Sequence, residues 1–274
     1  MTSDDIQEMG IEISRWLRMR VSPIAIKMLS TKEDVPADAI IPTRDWGHKH
    51  SLCQTIARSQ RNDEIIAMFI EDNWCPEPVV GLGFAKRDEF FLSGNHRYPD
   101  SVRDLHAGAD WCRNMPFFEH GLYEGILCAP ITKCNFLPDV IIMHINGMMT
   151  SQLLNVRNWI DGKDIHCQLS GHAACVYAIV PPILKNDCHI AIPCKGDRRY
   201  ANAQDDEILF SITPAMLPDF IEGIRWLEEH GWSIPMQQVY KEEYDLKETY
   251  FKLAQHLGMD TEKSTPRPQI AREF

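Results

Sequence analysis

Two stretches of the chain carry cysteines in the same kind of setting. CQTIARSQRNDEIIAMFIEDNWC runs from Cys53 to Cys75, and CVYAIVPPILKNDCHIAIPC runs from Cys175 to Cys194. In each, a cysteine falls in the first turns of a predicted helix and an Asn-Asp pair (Asn62-Asp63, Asn186-Asp187) ends it. An apolar strand then returns and a second cysteine closes that strand. A helix-turn-strand excursion brings the chain back to its starting end, so the two cysteines of a stretch are expected at one edge of a sheet. Pairing the stretches about a pseudo-twofold axis would bring four thiols to one seam. Four thiolates suit an iron-sulfur cluster or zinc. The chain has none of the C-x-x-C pairs common in structural zinc sites, so a cluster of the 4Fe-4S type is the expected cofactor and zinc the alternative. Helix N-termini are expected to lower the thiol pKa values. The plainer reading is that the thiols pack as small buried hydrophobes.

Other polar residues are assigned around this centre. Lys27 lies inside the apolar run PIAIKML, where a lysine must reach a surface or meet an anion. Arg58 and Arg198 are expected to bind an anionic substrate, with ion pairing to Asp206 or Glu207 as the plainer role for such cations. His172 opens the helix that carries Cys175 and is expected to move a proton, ahead of His48 and His50 in WGHKH. Lys27 and His172 are thus the catalytic residues expected. Cys128 and Cys134, around Pro130, are secondary ligand candidates. Cys112 and Cys188 read as packing, and Cys167, beside His166, as support. Neither a Gly-x-Gly-x-x-Gly turn nor a Walker lysine loop is present, so nothing local asks for a nucleotide.

These residues need elements to hold them. Periodicity predicts a helix from Ser3 to near Arg20, with Ile6, Met9, Ile13, Trp16 and Leu17 on one face. It predicts strands over 23–29, 64–70, 138–145, 164–169 and 188–193, and helices over 51–60, 99–115, 151–160, 172–184 and 214–229. Residues 30–44 read as a loop and 121–133 as strand and loop. PDVIIMHI is apolar enough for a central strand buried on both sides. The alternation predicts an α/β or α+β fold, a mixed sheet flanked by helices, in two loosely similar halves of about 21–85 and 136–200. One domain is expected over 1–234, then a C-terminal helix and a tail or arm over 235–274.

Composition bounds the function. The 274 residues are 44% hydrophobic with a net charge of −11, which supports a full core and disfavours a phosphate-tracking surface. Nucleic acid and membrane are not expected partners. Nine cysteines behind a start without a basic-then-apolar leader read as a cytoplasmic protein whose thiols serve a metal or catalysis. The expected function is an iron-sulfur enzyme, an oxidoreductase or lyase of anaerobic metabolism, acting on a small anionic or aromatic substrate. A redox partner protein and a homo-oligomer fit that reading. The alternatives are a metallocofactor accessory or maturation protein without turnover of its own, and a metal-free enzyme with Cys53 or Cys175 as nucleophile.

From about Pro23 to Gly231 the sequence resembles a known family, domain of unknown function 169. The resemblance rests on Pro23-Ile24-Ala25-Ile26-Lys27, Cys53-Gln54 with Ala57-Arg58, and Cys75 before Gly81-Leu82-Gly83. It continues in Pro138-Asp139-Val140, the lone Cys175, Cys194-Lys195-Gly196-Asp197-Arg198, and Asp206-Glu207. The chain departs from the pattern at Pro76-Glu77-Pro78, where small residues and glycine are expected. The resemblance implies that the four cysteines belong together; it implies no activity.

Overall fold

The structure is a computed structural model that describes residues 1–232 and 247–259. The chain divides into two units, Met1–Ile234 and Pro235–Phe274. Most of the expected C-terminal arm lies outside the described residues; α10, numbered last in chain order, spans Glu248–His256.

The first unit is built on six strands: β1 Ile24–Leu29, β2 Ile66–Phe69, β3 Gly125–Pro130, β4 Val140–Ile145, β5 His189–Ala191 and β6 Ile208–Ile212. They form one sheet in the order β2-β3-β1-β4-β6-β5. All five pairings between these strands are antiparallel, and the parallel component of the mixed sheet expected is confined to isolated bridges at Ile40–Ile66 and His50–Asn73. The register sets Ile26 opposite Cys128 on one side and Val140 on the other. β4 is central and buried on both faces, as its unbroken apolar run requires.

Among the described residues nine α-helices accompany the sheet: α1 Ser3–Leu17, α2 Leu52–Asn62, α3 Pro76–Gly81, α4 Glu89–Leu92, α5 Leu105–Asn114, α6 Gly147–Asp161, α7 Ala174–Lys185, α8 Lys195–Tyr200 and α9 Leu217–Glu229. On one face Ile24, Ile26, Met68, Ile126 and Ile142 pack with Leu52 and Ile56 of α2, Cys112 of α5 and most of the first half of α7. On the other, Ala25, Ile141, Met143 and Phe210 meet α1, α6 and α9. This alternation follows from the period of two in strand side chains.

Local chemistry explains the ends. Thr2, rather than Ser3, caps α1, in a capping box with Asp5. Ser51 caps α2 with Gln54 in the same way. The two Asn-Asp pairs do end helices: Asp63 closes α2 and Asn186 closes α7, each in the left-handed region at φ 58 and 49. Three predictions need correction. Residues 164–169 form no strand. The helix predicted from 99 begins only at Leu105, where Asp104 accepts from the Ala107 N–H at 2.8 Å. The short helices α3 and α8, which begin immediately after Cys75 and Cys194, had no counterpart in the sequence reading.

Candidate metal centre

Each of the four cysteines sits where a helix begins. Cys53 and Cys175 are the second residues of α2 and α7, while Cys75 and Cys194 directly precede α3 and α8. The strands leading to Cys75 and Cys194 lie at opposite edges of the sheet, so the expectation that a stretch's two cysteines meet at one edge does not describe the site. After β2 the chain crosses so that α3 packs on α7, and after β5 it crosses so that α8 packs on α2. Each second cysteine is carried toward the other stretch's helix.

Close approaches fix this exchange. A Cβ on Gly81 of α3 would stand 2.6 Å from a methyl of Val176 on α7. A Cβ on Gly196 of α8 would stand 3.4 Å from Cys194 Sγ and 3.9 Å from Cys53 Sγ, with nothing else within 4 Å. Both sulfurs therefore border the Cα of Gly196, at distances where a Cβ would make ordinary van der Waals contact with each. The backbone N–H of Ala174, at the start of α7, lies against the Cys194 thiol and favours its thiolate. Cys194 also packs on the core cluster that contains Cys175. Cys75 is held by its own N–H, which donates to Asn73 Oδ1 at 2.8 Å. The adjoining Trp74 donates from Nε1 to Gln54 Oε1 at 2.8 Å and meets Tyr200 edge to face at 5.2 Å. Trp74 and Tyr200, 44% and 45% exposed, thus form an aromatic rim where the segments bearing Cys53, Cys75 and Cys194 come together.

The four thiols share one electrostatic environment. Cys175 feels the charge of Cys53, Cys194 and Cys75, and Cys53 feels that of Cys194 and Cys75. Burial, with the Asp197 carboxylate second, pushes Cys53 up to about 12 and raises Cys175 and Cys194. Burial and then Glu77 push Cys75 up to about 11. The lowering expected from helix N-termini is therefore reversed: desolvation outweighs the amide donors. The hydroxyl of Ser51, 3.0 Å from Cys53 Sγ, works in the opposite direction. Asp197, 5% exposed, accepts from the Cys194 N–H at 2.9 Å. Among the described residues no three His, Cys, Asp or Glu side chains already converge tightly enough to hold a single metal ion.

The cations chosen from sequence lie elsewhere. Lys27 alternates with Ile26 and Met28, so it faces away from the cysteines; its Nζ donates to Leu137 O at 3.3 Å. Arg58 lies 3.6 Å over the Trp46 ring and donates to Glu64 at 3.0 Å. Arg198 donates to Gln204 O at 2.9 Å and pairs with Asp205 at 3.3 Å, not with Asp206 or Glu207. Each of these three cations thus has an acceptor of its own. His48 and His50 face each other, Nε2 to Nε2, at 3.1 Å. His172 meets Trp111 edge to face at 6.0 Å, and burial lowers its pKa. Cys128 is buried in the sheet and Cys134 packs on the opposite face, where its thiol donates to Phe136 O at 3.2 Å. Cys112 and Cys188 are core residues, and Cys167 accepts from the Ile190 N–H.

Sequence reading missed three residues. Asp197 was quoted only within the family motif, although its position three residues after Cys194 marks the capping box it makes. His144 points from β4 to the cysteine-bearing face, accepts at Nδ1 from Gln60 Nε2 at 3.1 Å, and feels Asp197; burial pushes it down to about 4. Arg97 is 3% exposed, pairs with Glu77 and lies 3.9 Å over the Trp111 ring. Its local sequence, GNHRYPD, gives no sign of burial.

No curated protein and no solved structure matches the chain. The profile of one family, domain of unknown function 169, described as an uncharacterised ArCR, matches residues 12–223 and so takes in all four cysteines. With most of its length matched, the chain belongs to that family.

Proposed function

We propose that Cys53, Cys75, Cys175 and Cys194 hold an iron-sulfur cluster, and that the protein is a redox or Lewis-acid enzyme acting on a small anionic or aromatic substrate. The observation that supports this is the exchange of α3 and α8: α8 packs on α2, with the Cys53 and Cys194 sulfurs both beside Gly196, while α3 packs on α7, and Cys175 feels the charge of the other three thiols. The donor set fits the group. Thiols, once deprotonated, and the Asp197 carboxylate are all anionic acceptors, and such a set calls for a polycation. A cluster held there would supply electron transfer or Lewis-acid polarisation.

The chain's own residues have separable tasks. Asp197 holds the start of α8, and with it Cys194, by accepting the Cys194 N–H. Ser51 donates toward or accepts from Cys53 and caps α2. Trp74 and Tyr200 shield the cysteines from water on one side and offer an aromatic face to a substrate or redox partner. The nine thiols are all free, which suits a reducing cytoplasm. A metal-free nucleophile is the weaker reading, because burial keeps these thiols protonated.

Anaerobic purification followed by iron, sulfide and zinc assays tests the proposal. The expected result is brown protein with about four iron and four sulfide per chain, lost in Cys53→Ser and Cys175→Ser. Stoichiometric zinc without sulfide would replace the cluster by zinc, and colourless, metal-free protein would sink both. Transfer of the metal to a partner without any turnover would move the assignment to an accessory protein.

A further inference from the structure

Beside the cysteine centre lies a guanidinium with an unused edge. Glu77, two residues past Cys75, accepts from Arg97 Nη1, and Trp111 supports the flat face of the group. The other two donor positions, Nε and Nη2, are buried without any hydrogen-bond partner. These atoms flank one side of the guanidinium plane, the side that grips a carboxylate with two parallel hydrogen bonds. Buried donors left without acceptors are costly, so an acceptor that reached them would be bound strongly.

The surroundings are built to keep the group in place. Gly94, at φ +75, lets the turn before Arg97 lie directly on α5, where a Cβ would come within 2.3 Å of the Ala109 nitrogen. Trp111, on that helix, is anchored by its Nε1 donating to Ser170 Oγ at 3.1 Å, and the same hydroxyl accepts the His172 N–H at 3.2 Å. Tyr177, two residues past Cys175, also bonds Ser170 and feels both Glu77 and Arg97. Glu77 and Tyr177 thus tie this polar cluster to two of the four cysteine segments. The chain over 162–173, which supplies Ser170 and His172 to the cluster, has no helix or strand, and Leu169 and Gly171 are exposed.

We infer that the Nε/Nη2 edge of Arg97 binds the carboxylate of a small-molecule substrate, with His172 on the far side of the shared Trp111 and the Cys75 segment joined to it through Glu77. As a substrate subsite it rests on the function proposed above; as a carboxylate site it stands on its own geometry. It gives the anionic substrate a partner that Lys27, Arg58 and Arg198 do not provide. The alternative occupant is ordered water, which does not distinguish a carboxylate from an amide.

The test is titration of the anaerobically purified full chain with acetate and benzoate, against acetamide and benzamide as uncharged controls. Melting temperature and the ¹⁵N-arginine Nε–H spectrum are read together. A carboxylate is expected to raise the melting temperature with the logarithm of its concentration above Kd and to shift one arginine Nε–H signal, while the amides do neither. The Arg97→Gln/Glu77→Gln double variant removes both charges at once, so the fold is not left with a lone buried ion. It is expected to bind the same carboxylate at least tenfold more weakly and to keep its iron and sulfide. Equal response to carboxylates and amides, no arginine shift, or undiminished binding in the double variant overturns the inference. If the double variant does not fold, the wild-type spectra still decide. Iron is measured in the same samples: a cluster without carboxylate binding sinks only this site, and carboxylate binding without iron sinks only the cluster.

Discussion

His144 offers the sharpest physical check on the cysteine-bearing face. It accepts at Nδ1 from Gln60, which fixes the neutral ring with its proton on Nε2, so taking up a proton breaks that bond as well as charging a buried group. The groups that face it are Asp197, which favours the charged ring, and Arg61, which opposes it; burial, with Arg61 acting in the same direction, outweighs Asp197 and brings the pKa from an ordinary 6.5 to about 4. The folded state therefore resists a proton that the unfolded chain accepts, and stability falls as pH drops from about 6.5 toward 4. Between pH 7 and pH 5 the linkage relation gives a loss of about 2 kcal/mol, which the ring's remaining solvent contact reduces to between about 1 and 2 kcal/mol. In His144→Gln, the side chain does not titrate and keeps an acceptor for Gln60. Urea unfolding of metal-free protein at both pH values should show a wild-type stability loss exceeding the variant's by that amount. Equal pH dependence in the two proteins would refute the reasoning, because no proton uptake at position 144 would then separate folded from unfolded chains.

Gly196→Val should fold, since its Cβ meets only two sulfurs, yet fill the space between Cys53 and Cys194; iron content is expected to fall by more than half with the far-ultraviolet circular dichroism unchanged, and full iron loading would contradict the geometry. Asp72 is fully buried and accepts from the Phe69 and Thr43 N–H groups, each at 3.0 Å, and from the Thr43 hydroxyl. Asp72→Ala leaves those donors unmet and should cost about 2–5 kcal/mol by chemical denaturation, where a loss under about 1 kcal/mol would show that water replaces the carboxylate.

Much of the frame was legible because it follows from periodicity and punctuation. The apolar stripe of α1, the unbroken run of β4 and the Ser51 box before α2 each have one physical solution. The four cysteines were legible as a set because their surroundings repeat. What was hidden depended on distant contacts. Whether Lys27 or Ile26 faced the cysteines could not be read from alternation alone, which separates two faces without saying which one α2 and α7 cover. Arg97 sits in a polar turn, and only Glu77, Trp111 and the Gly94 contact bury it. The helices α3 and α8 are each six residues long, too short for a periodic signal, although Pro76 and Asp197 mark their starts.

The strand order carries a consequence for how the centre assembles. Read from either end, β2-β3-β1-β4-β6-β5 has the same form once β1, β2 and β3 are matched with β4, β5 and β6. The helix carrying Cys53 follows the inner strand β1, whereas the helix carrying Cys175 follows the inner strand β4 only after α6; the second cysteine of each stretch follows an outer strand. Had each half closed on itself, two thiols would have stayed near each edge. Because α3 packs on α7 and α8 on α2, the second cysteine of each half is delivered to the other. On the proposed function neither half would complete the site alone, and the β1–β4 pairing, Ile24 to Ile142 through Ile26 to Val140, would be the joint between the two sets of thiols. Substitutions that loosen that joint should therefore reduce metal binding before they disturb either half, a pattern opposite to that of four ligands mounted on one rigid loop.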